Sequence, residues 1–145
     1  MSISLSQVRS AVASQVSSVA GFSQVKFPAE YFGRIENSIA HKGFSVSVSR
    51  STAVGDRQRI SEGIYTITDV VVIFGYRLRP KDVYPTDYDL CLDSEEEIIK
   101  KVLSSYSSIR AGTQIVYNGS NRSIPDSLEY MITQMEFTAY HHIGA

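Results

Sequence analysis

Apolar residues recur along the chain with two periods, and the switch between them marks out elements. Leu5, Val8, Val12, Val16 and Val19 step by three or four, which places them on one stripe of an amphipathic helix. Ser4 or Ser2 supplies a capping hydroxyl at its start, and Gly21 is placed to end it. From Gly43 to Arg50 the period becomes two. Phe44, Val46 and Val48 alternate with Ser45, Ser47 and Ser49, which predicts a strand with one buried and one wet face. The longest block, Gly63 to Pro80, is β-branched and aromatic on both parities. Ile67, Val71 and Ile73 share one face; Val70, Val72, Phe74, Tyr76 and Leu78 share the other. This predicts the central strand of a small sheet, covered on both sides.

The remaining segments fill in around these three. Phe22 to Phe27 reads as a short strand. Pro28 to Ala40 reads either as a short helix, with Tyr31, Ile35 and Ile39 spaced by four, or as an extended strand around Tyr31 to Glu36. Arg50 to Glu62 is polar, an arm joining the alternating strand to the central one. Arg79 to Leu92 carries turn signals around Pro80 and Pro85. Ser94 followed by Glu97 has capping-box spacing, so a helix is predicted from Ser94. Glu95, Glu96 and Glu97 lie near its positive end, and Ile98, Ile99, Val102, Leu103 and Tyr106 form its buried stripe. Thr113 to Tyr117 is a short strand, Asn118-Gly119 a turn, and Ser120 to Asp126 a loop. Leu128 to Ile143 is apolar on both parities and is the natural partner of the central strand. No internal repeat or linker is legible. The class these elements define is α+β, in a single domain over 1–145. A mostly antiparallel mixed sheet of about four to five strands packs on two main helices, and a hairpin arm projects from it.

Composition narrows the function classes. The chain has 145 residues, suited to one domain with a real core. Net charge is −1, which gives no global attraction to DNA or anionic membranes. The single cysteine, Cys91, excludes an intrachain disulfide and a four-thiolate zinc site. It lies between two leucines, as a buried small hydrophobe does. No apolar run reaches bilayer length, and no basic leader precedes an apolar block. The expectation is a chain made in the cytoplasm. Asn118-Gly-Ser and Asn121-Arg-Ser then match the glycosylation sequon by chance.

Candidate chemistry is sparse. His141 and His142 are adjacent and point to opposite faces of a regular strand, so they do not share a metal; with His41 they read as exposed or edge histidines. Glu95 to Glu97 read as helix-start acids, not as an acid/base pair. No phosphate-binding glycine loop and no nucleophile elbow occurs. No catalytic residue, cofactor site or metal site is expected. The most unusual surface feature is the arm bearing Arg50, Asp56, Arg57 and Arg59. The arm reads equally as a solvated loop; functionally, its arginines suit nucleic acid phosphates or carboxylates of a neighbouring subunit. The protein partner is favoured, because no aromatic residue interleaves with them as a single-strand binder requires. Tyr84 and Tyr88, in the segment from Lys81 to Asp89, form a second candidate contact.

Four stretches carry a family resemblance. They are HKGFSVSVSR, DRQRISEGIYTITDVVVIFGYRLRPKD, LDSEEEIIKKVL and MITQMEFTAYHHI. In order they give a strand, a polar arm leading into a long strand that ends Arg-x-Arg-Pro, an acidic-start helix, and a closing strand ending near histidine. From about Ala40 onward this pattern resembles the tail terminator (tail-completion) proteins of long-tailed bacteriophages. The resemblance implies a structural virion protein of the tail and neck, not an enzyme. Its members form a six-membered ring on the head-proximal end of the tail tube, stop tube growth, and present a surface to neck and head-completion proteins. The implied partners are other copies of the chain, the tail tube protein, the neck proteins, and a sheath protein where the tail is contractile. DNA is implied only as the genome passing through the lumen, and no membrane is implied. Within the same class the alternative is another neck or head-completion protein. Outside it the alternative is a small ligand-binding or enzymatic α+β domain.

Overall fold

The computed structural model describes residues 3–24, 41–55, 63–78, 84–104, 114–123 and 130–144. In chain order the elements are α1 (Leu5–Ser17), β1 (Ser23–Gln24), β2 (Gly43–Ala53), β3 (Ile64–Arg77), α2 (Tyr84–Ser104), β4 (Gln114–Ser123) and β5 (Tyr130–Ile143). The strands form one sheet in the order β1-β2-β3-β5-β4. Only β1 and β2 run parallel; every other neighbouring pair is antiparallel. This is an α+β fold with a mostly antiparallel mixed sheet and, among the described residues, two helices.

The two doubly apolar blocks do pair. β3 and β5 run side by side from Ile64 opposite Ile143 to Arg77 opposite Tyr130, without a break in register. Val70, Val72, Phe74 and Tyr76 of β3 then face the same way as Met131, Met135, Phe137 and Ala139 of β5. They join Phe44 and Val46 of β2, Val8, Val12 and Val16 of α1, and Cys91, Ile98 and Val102 of α2 in one buried cluster. Both helices therefore cover the same face of the sheet. On the far face Val71 is buried and Ile67 and Ile73 are half-buried. The two-faced pattern thus belongs to a strand flanked by antiparallel neighbours, with the helices among the described residues on one side.

α1 begins as its sequence indicates. Ser4 accepts a hydrogen bond from the Gln7 N–H, and the Gln7 side chain accepts one from the Ser4 N–H, closing a capping box. Ahead of it, the Ile3 N–H donates to the His142 carbonyl at 2.7 Å, tying the approach to α1 onto β5. Arg9 reaches from α1 to the edge of the sheet, where its Nε–H donates to the Val46 carbonyl at 2.7 Å.

Several sequence expectations need correction. α2 begins at Tyr84, not at Ser94. Pro85 in the first turn has no N–H to leave unpaired, and Asp87 there faces the positive end of the helix dipole. Ser94 lies inside the helix, and its hydroxyl donates to the Leu90 carbonyl one turn back at 2.9 Å. Glu95 is no helix-start acid: it is buried and its partner is Arg122 on β4. Asn118-Gly119 does not turn the chain. β4 continues to Ser123, absorbing the pair as a bulge with Gly119 at φ 152°, because β5 is long enough to pair on both sides of it. Ser45 is buried, not wet; its short side chain lies beside its cross-strand partner Ile73 and diagonal to Val71, which shield it. Of Phe22 to Phe27, Ser23 and Gln24 form strand. The alternatives for Pro28 to Ala40 lie outside the described residues.

Among the described residues one buried side-chain polar atom has no oxygen or nitrogen hydrogen-bond partner, the Thr133 hydroxyl. It sits beside the Cys91 thiol, a weak hydrogen-bonding group that does not replace an oxygen or nitrogen partner. A buried hydroxyl left unpaired is a desolvation cost. The isosteric change Thr133→Val is therefore expected to raise stability by about 1 kcal/mol, read as a later midpoint in urea unfolding at unchanged m-value.

Candidate functional site

Two irregularities lie opposite each other across the sheet. On β2 the register slips between Val48, opposite Val70, and Arg50, opposite Asp69. On β4 it slips between Tyr117, opposite Phe137, and Gly119, opposite Glu136. Val70 pairs with Phe137 and Asp69 with Thr138. The two bulges therefore share one transverse line, and bulges re-aim the side chains beside them.

Along that line, on the face away from the helices, the side chains are polar. The Asn118 Nδ2–H donates to Thr138 Oγ1 at 2.5 Å, and the Thr138 hydroxyl donates to Asp69 Oδ1 at 3.1 Å. This chain of bonds ends on the carboxylate. The slip in β2 brings Arg50 to the position across from Asp69. Yet the two form no ion pair among the described residues, where the ion pairs are Lys100–Glu96 and Arg122–Glu95. Arg50 is exposed, and so is every residue of β2 from Ser49 to Ala53, on both faces. The hairpin continues one residue further, where the Val54 N–H donates to the Tyr65 carbonyl at 2.9 Å. Val54 and Tyr65 are large apolar side chains with 42% and 36% of their surface exposed.

Of the expected contact residues, Arg50 stands in this arrangement. Asp56, Arg57 and Arg59 lie outside the described residues. Tyr84 is the first residue of α2. Tyr88, in the next turn, is half-buried and packs against the core cluster. The structure thus places Tyr88 on a helix over the core, and Arg50 on the hairpin. Asp69, Thr138 and Asn118 are additions to the expected set. Asp69 carries a legible signal, as the one acid within the block from Gly63 to Pro80. Nothing in the spacing of Thr138 and Asn118 announces that they meet it.

The titratable groups elsewhere are tied into the fold. His141 is fully buried, which corrects its reading as an exposed or edge histidine. Its Nδ1 lies 3.0 Å from the Ile3 carbonyl, which can only accept, so Nδ1 carries the proton. Nε2 then accepts from the Thr68 hydroxyl at 2.8 Å. His142 faces the other way, exposed, with its ring 4.9 Å from that of Tyr65. Burial pushes the Cys91 thiol up to about 12, and the nearby Glu95 carboxylate adds to the effect; such a thiol is no nucleophile. Glu95 receives two bonds from the Arg122 guanidinium, from Nε at 3.0 Å and from Nη2, which fasten α2 to β4. Among the described residues no group of three His, Cys, Asp or Glu is placed to hold a metal.

No protein-family model matches the chain, and no curated protein is significantly similar to it. Among the described residues no helix is long and apolar enough to cross a membrane.

Two outcomes follow from the buried groups. Burial lowers the His141 pKa below its ordinary value, while the bond to Ile3 opposes the shift. The unfolded chain therefore binds the proton more readily than the folded one. Stability should be full above the unfolded value near 6.5 and fall as pH drops through it, by at most about 1.4 kcal/mol per pH unit. Urea melts between pH 7.5 and 5 check this, and His141→Gln should flatten that part of the profile. Arg122→Ala leaves the buried Glu95 carboxylate without its partner and should cost about 2 kcal/mol, also read by urea melts. Glu95→Gln combined with Arg122→Ala should recover part of the loss.

Proposed function

We propose that this chain is a structural assembly protein of the tail terminator kind. In this reading it forms a ring, six-membered as in the family it resembles, on the head-proximal end of a phage tail tube. It ends tube growth and presents its upper face to neck and head-completion proteins. The mechanism is steric and interfacial. One surface binds the last tube ring; the other has no means of adding a further tube subunit. The protein is made in the host cytoplasm and ends in the virion.

The observation that carries the reading is the end of the β2–β3 hairpin. Ser49 to Ala53 are hydrogen-bonded strand, yet exposed on both faces. A strand end this exposed is held by its ladder and by the Ser49 and Ser51 hydroxyls, and burial against another protein is what would stabilise it further. Arg50 stands there without an ion-pair partner among the described residues, and the sequence adds Arg57 and Arg59 before β3 begins. Arginine is the cation suited to bidentate contact with carboxylates of a neighbouring subunit or of the tail tube. In a closed ring such contacts are heterologous, so the arm meets a different patch on the next subunit.

Tail tubes assembled with and without the protein test the reading. With it, tubes should stop at defined length and carry a ring with a central hole at one end in negative stain. Arg57→Ala combined with Arg59→Ala should abolish capping while circular dichroism shows the subunit folded. Tubes that grow past the same length in the presence of the intact protein would sink the proposal.

A further inference from the structure

We infer that the outward face of the β2–β3 hairpin is self-complementary and pairs with the same face of a second copy about a two-fold axis. Three successive cross-strand pairs make up this face. Arg50 lies opposite Asp69, and Thr52 opposite Ile67. Val54 lies beside Tyr65 through the backbone bond described above. Alternate residues of a strand share a face. The bond between Thr138 and Asp69, and the ring contact between Tyr65 and His142, link this face to the outward side of β5. Ser51, by contrast, lies on the helix side, its hydroxyl 3.3 Å from that of Thr68.

The face is thus two short columns, Arg50-Thr52-Val54 and Asp69-Ile67-Tyr65. Take an axis parallel to the strands, midway between β2 and β3, and lay the face on its own copy. The rotation exchanges the columns. Arg50 then meets Asp69 of the second copy, and Asp69 meets the other Arg50. Val54 meets Tyr65 twice in the same way, and Thr52 meets Ile67. Each charge finds its opposite, Val54 and Tyr65 find each other, and Ile67 meets the methyl of Thr52. Within one copy Arg50 and Asp69 stand in register without an ion pair among the described residues, and Asp69 Oδ1 takes the Thr138 bond. A pair of charges of opposite sign that recurs across a two-fold axis is what an isologous contact requires. Val54 and Tyr65, among the most exposed large apolar residues described, supply the apolar part.

The second copy is favoured over an added strand because the sheet resists extension at its edges. Among the described residues β1 has two, Arg9 occupies the Val46 carbonyl at the β2 edge, and bulges interrupt both β2 and β4. These are devices that keep edges from pairing. Among the described residues both helices lie on the other face, and Arg50, Thr52, Val54 and Tyr65 are exposed on this one. The pairing rests on the hairpin alone and does not depend on a role in a phage tail. Arg50 is common to both contacts, so a copy held in this pair has that arginine occupied.

Sedimentation velocity on the full chain over a wide concentration series tests the inference. The expected species is a dimer that weakens as salt is raised. Arg50→Asp and Asp69→Arg should each weaken it by roughly 10- to 100-fold, and the double exchange R50D/D69R should restore it. Val54→Asp, at an exposed position, is a second variant that should weaken the dimer without touching Asp69 and its bond to Thr138. Circular dichroism reports that each variant is folded. A wild-type monomer at every concentration, or a dimer indifferent to both R50D and V54D, would overturn the pairing. Six-copy rings indifferent to those variants would overturn it too and leave the tail assignment standing. A dimer restored by the exchange, in a protein that leaves tail tubes uncapped, would uphold the pairing and remove the tail assignment.

Discussion

Everything in this molecule hangs on the antiparallel pairing of β3 with β5. The ladder is fourteen residues long on each side and keeps register throughout. A one-residue slip would turn Val70, Val72 and Phe74 away from the helices and expose the core, so the register is fixed by burial as much as by hydrogen bonds. β2 and β4 are laid on either side of this pair, and each accommodates its own sequence by a bulge. The central strands stay regular and the flanking ones adjust.

That division of labour shapes the surface. The helix side is closed by apolar packing, fastened at its margins by Arg122 to Glu95 and by His141 to Ile3. The other side carries the transverse polar line from Asn118 to Arg50, with apolar residues of the hairpin beyond it. Edges that decline to pair and a face that mixes charge with apolar area make a protein suited to contacts through side chains. Such contacts tolerate a defined partner and exclude open-ended sheet growth.

Much of the architecture was legible in the sequence because burial leaves periodic marks. The stripe from Val8 to Val16 and the alternation from Phe44 to Val48 are such marks, and so are the two long doubly apolar blocks. The misreadings fall where a residue's role depends on a distant one. Glu95, just after a Ser94 with capping-box spacing to Glu97, looked like a helix-start acid because local spacing favours that reading; its partner Arg122 lies on another element. Asn118-Gly119 looked like a turn because the length of β5 lies outside the window in which a turn is judged. His141 looked peripheral because the Ile3 carbonyl that holds it belongs to the opposite end of the chain. Arg50 was singled out by its charge in a polar arm, whereas Thr138 and Asn118 needed the register to bring them to Asp69. The fold was therefore more readable than the surface.

Cys91 lends the protein a use apart from its biology. It is the sole cysteine of the sequence and has no exposed surface. With its thiol pushed so high, it is inert toward alkylating reagents while the core is closed. Modification must then wait for α2 to lift from the sheet, so the labelling rate of one atom counts openings of the core. The same reading can be taken on the free chain and on any assembly it joins, without adding a probe. A fall in that rate on assembly would measure how much the partner slows the breathing of the fold.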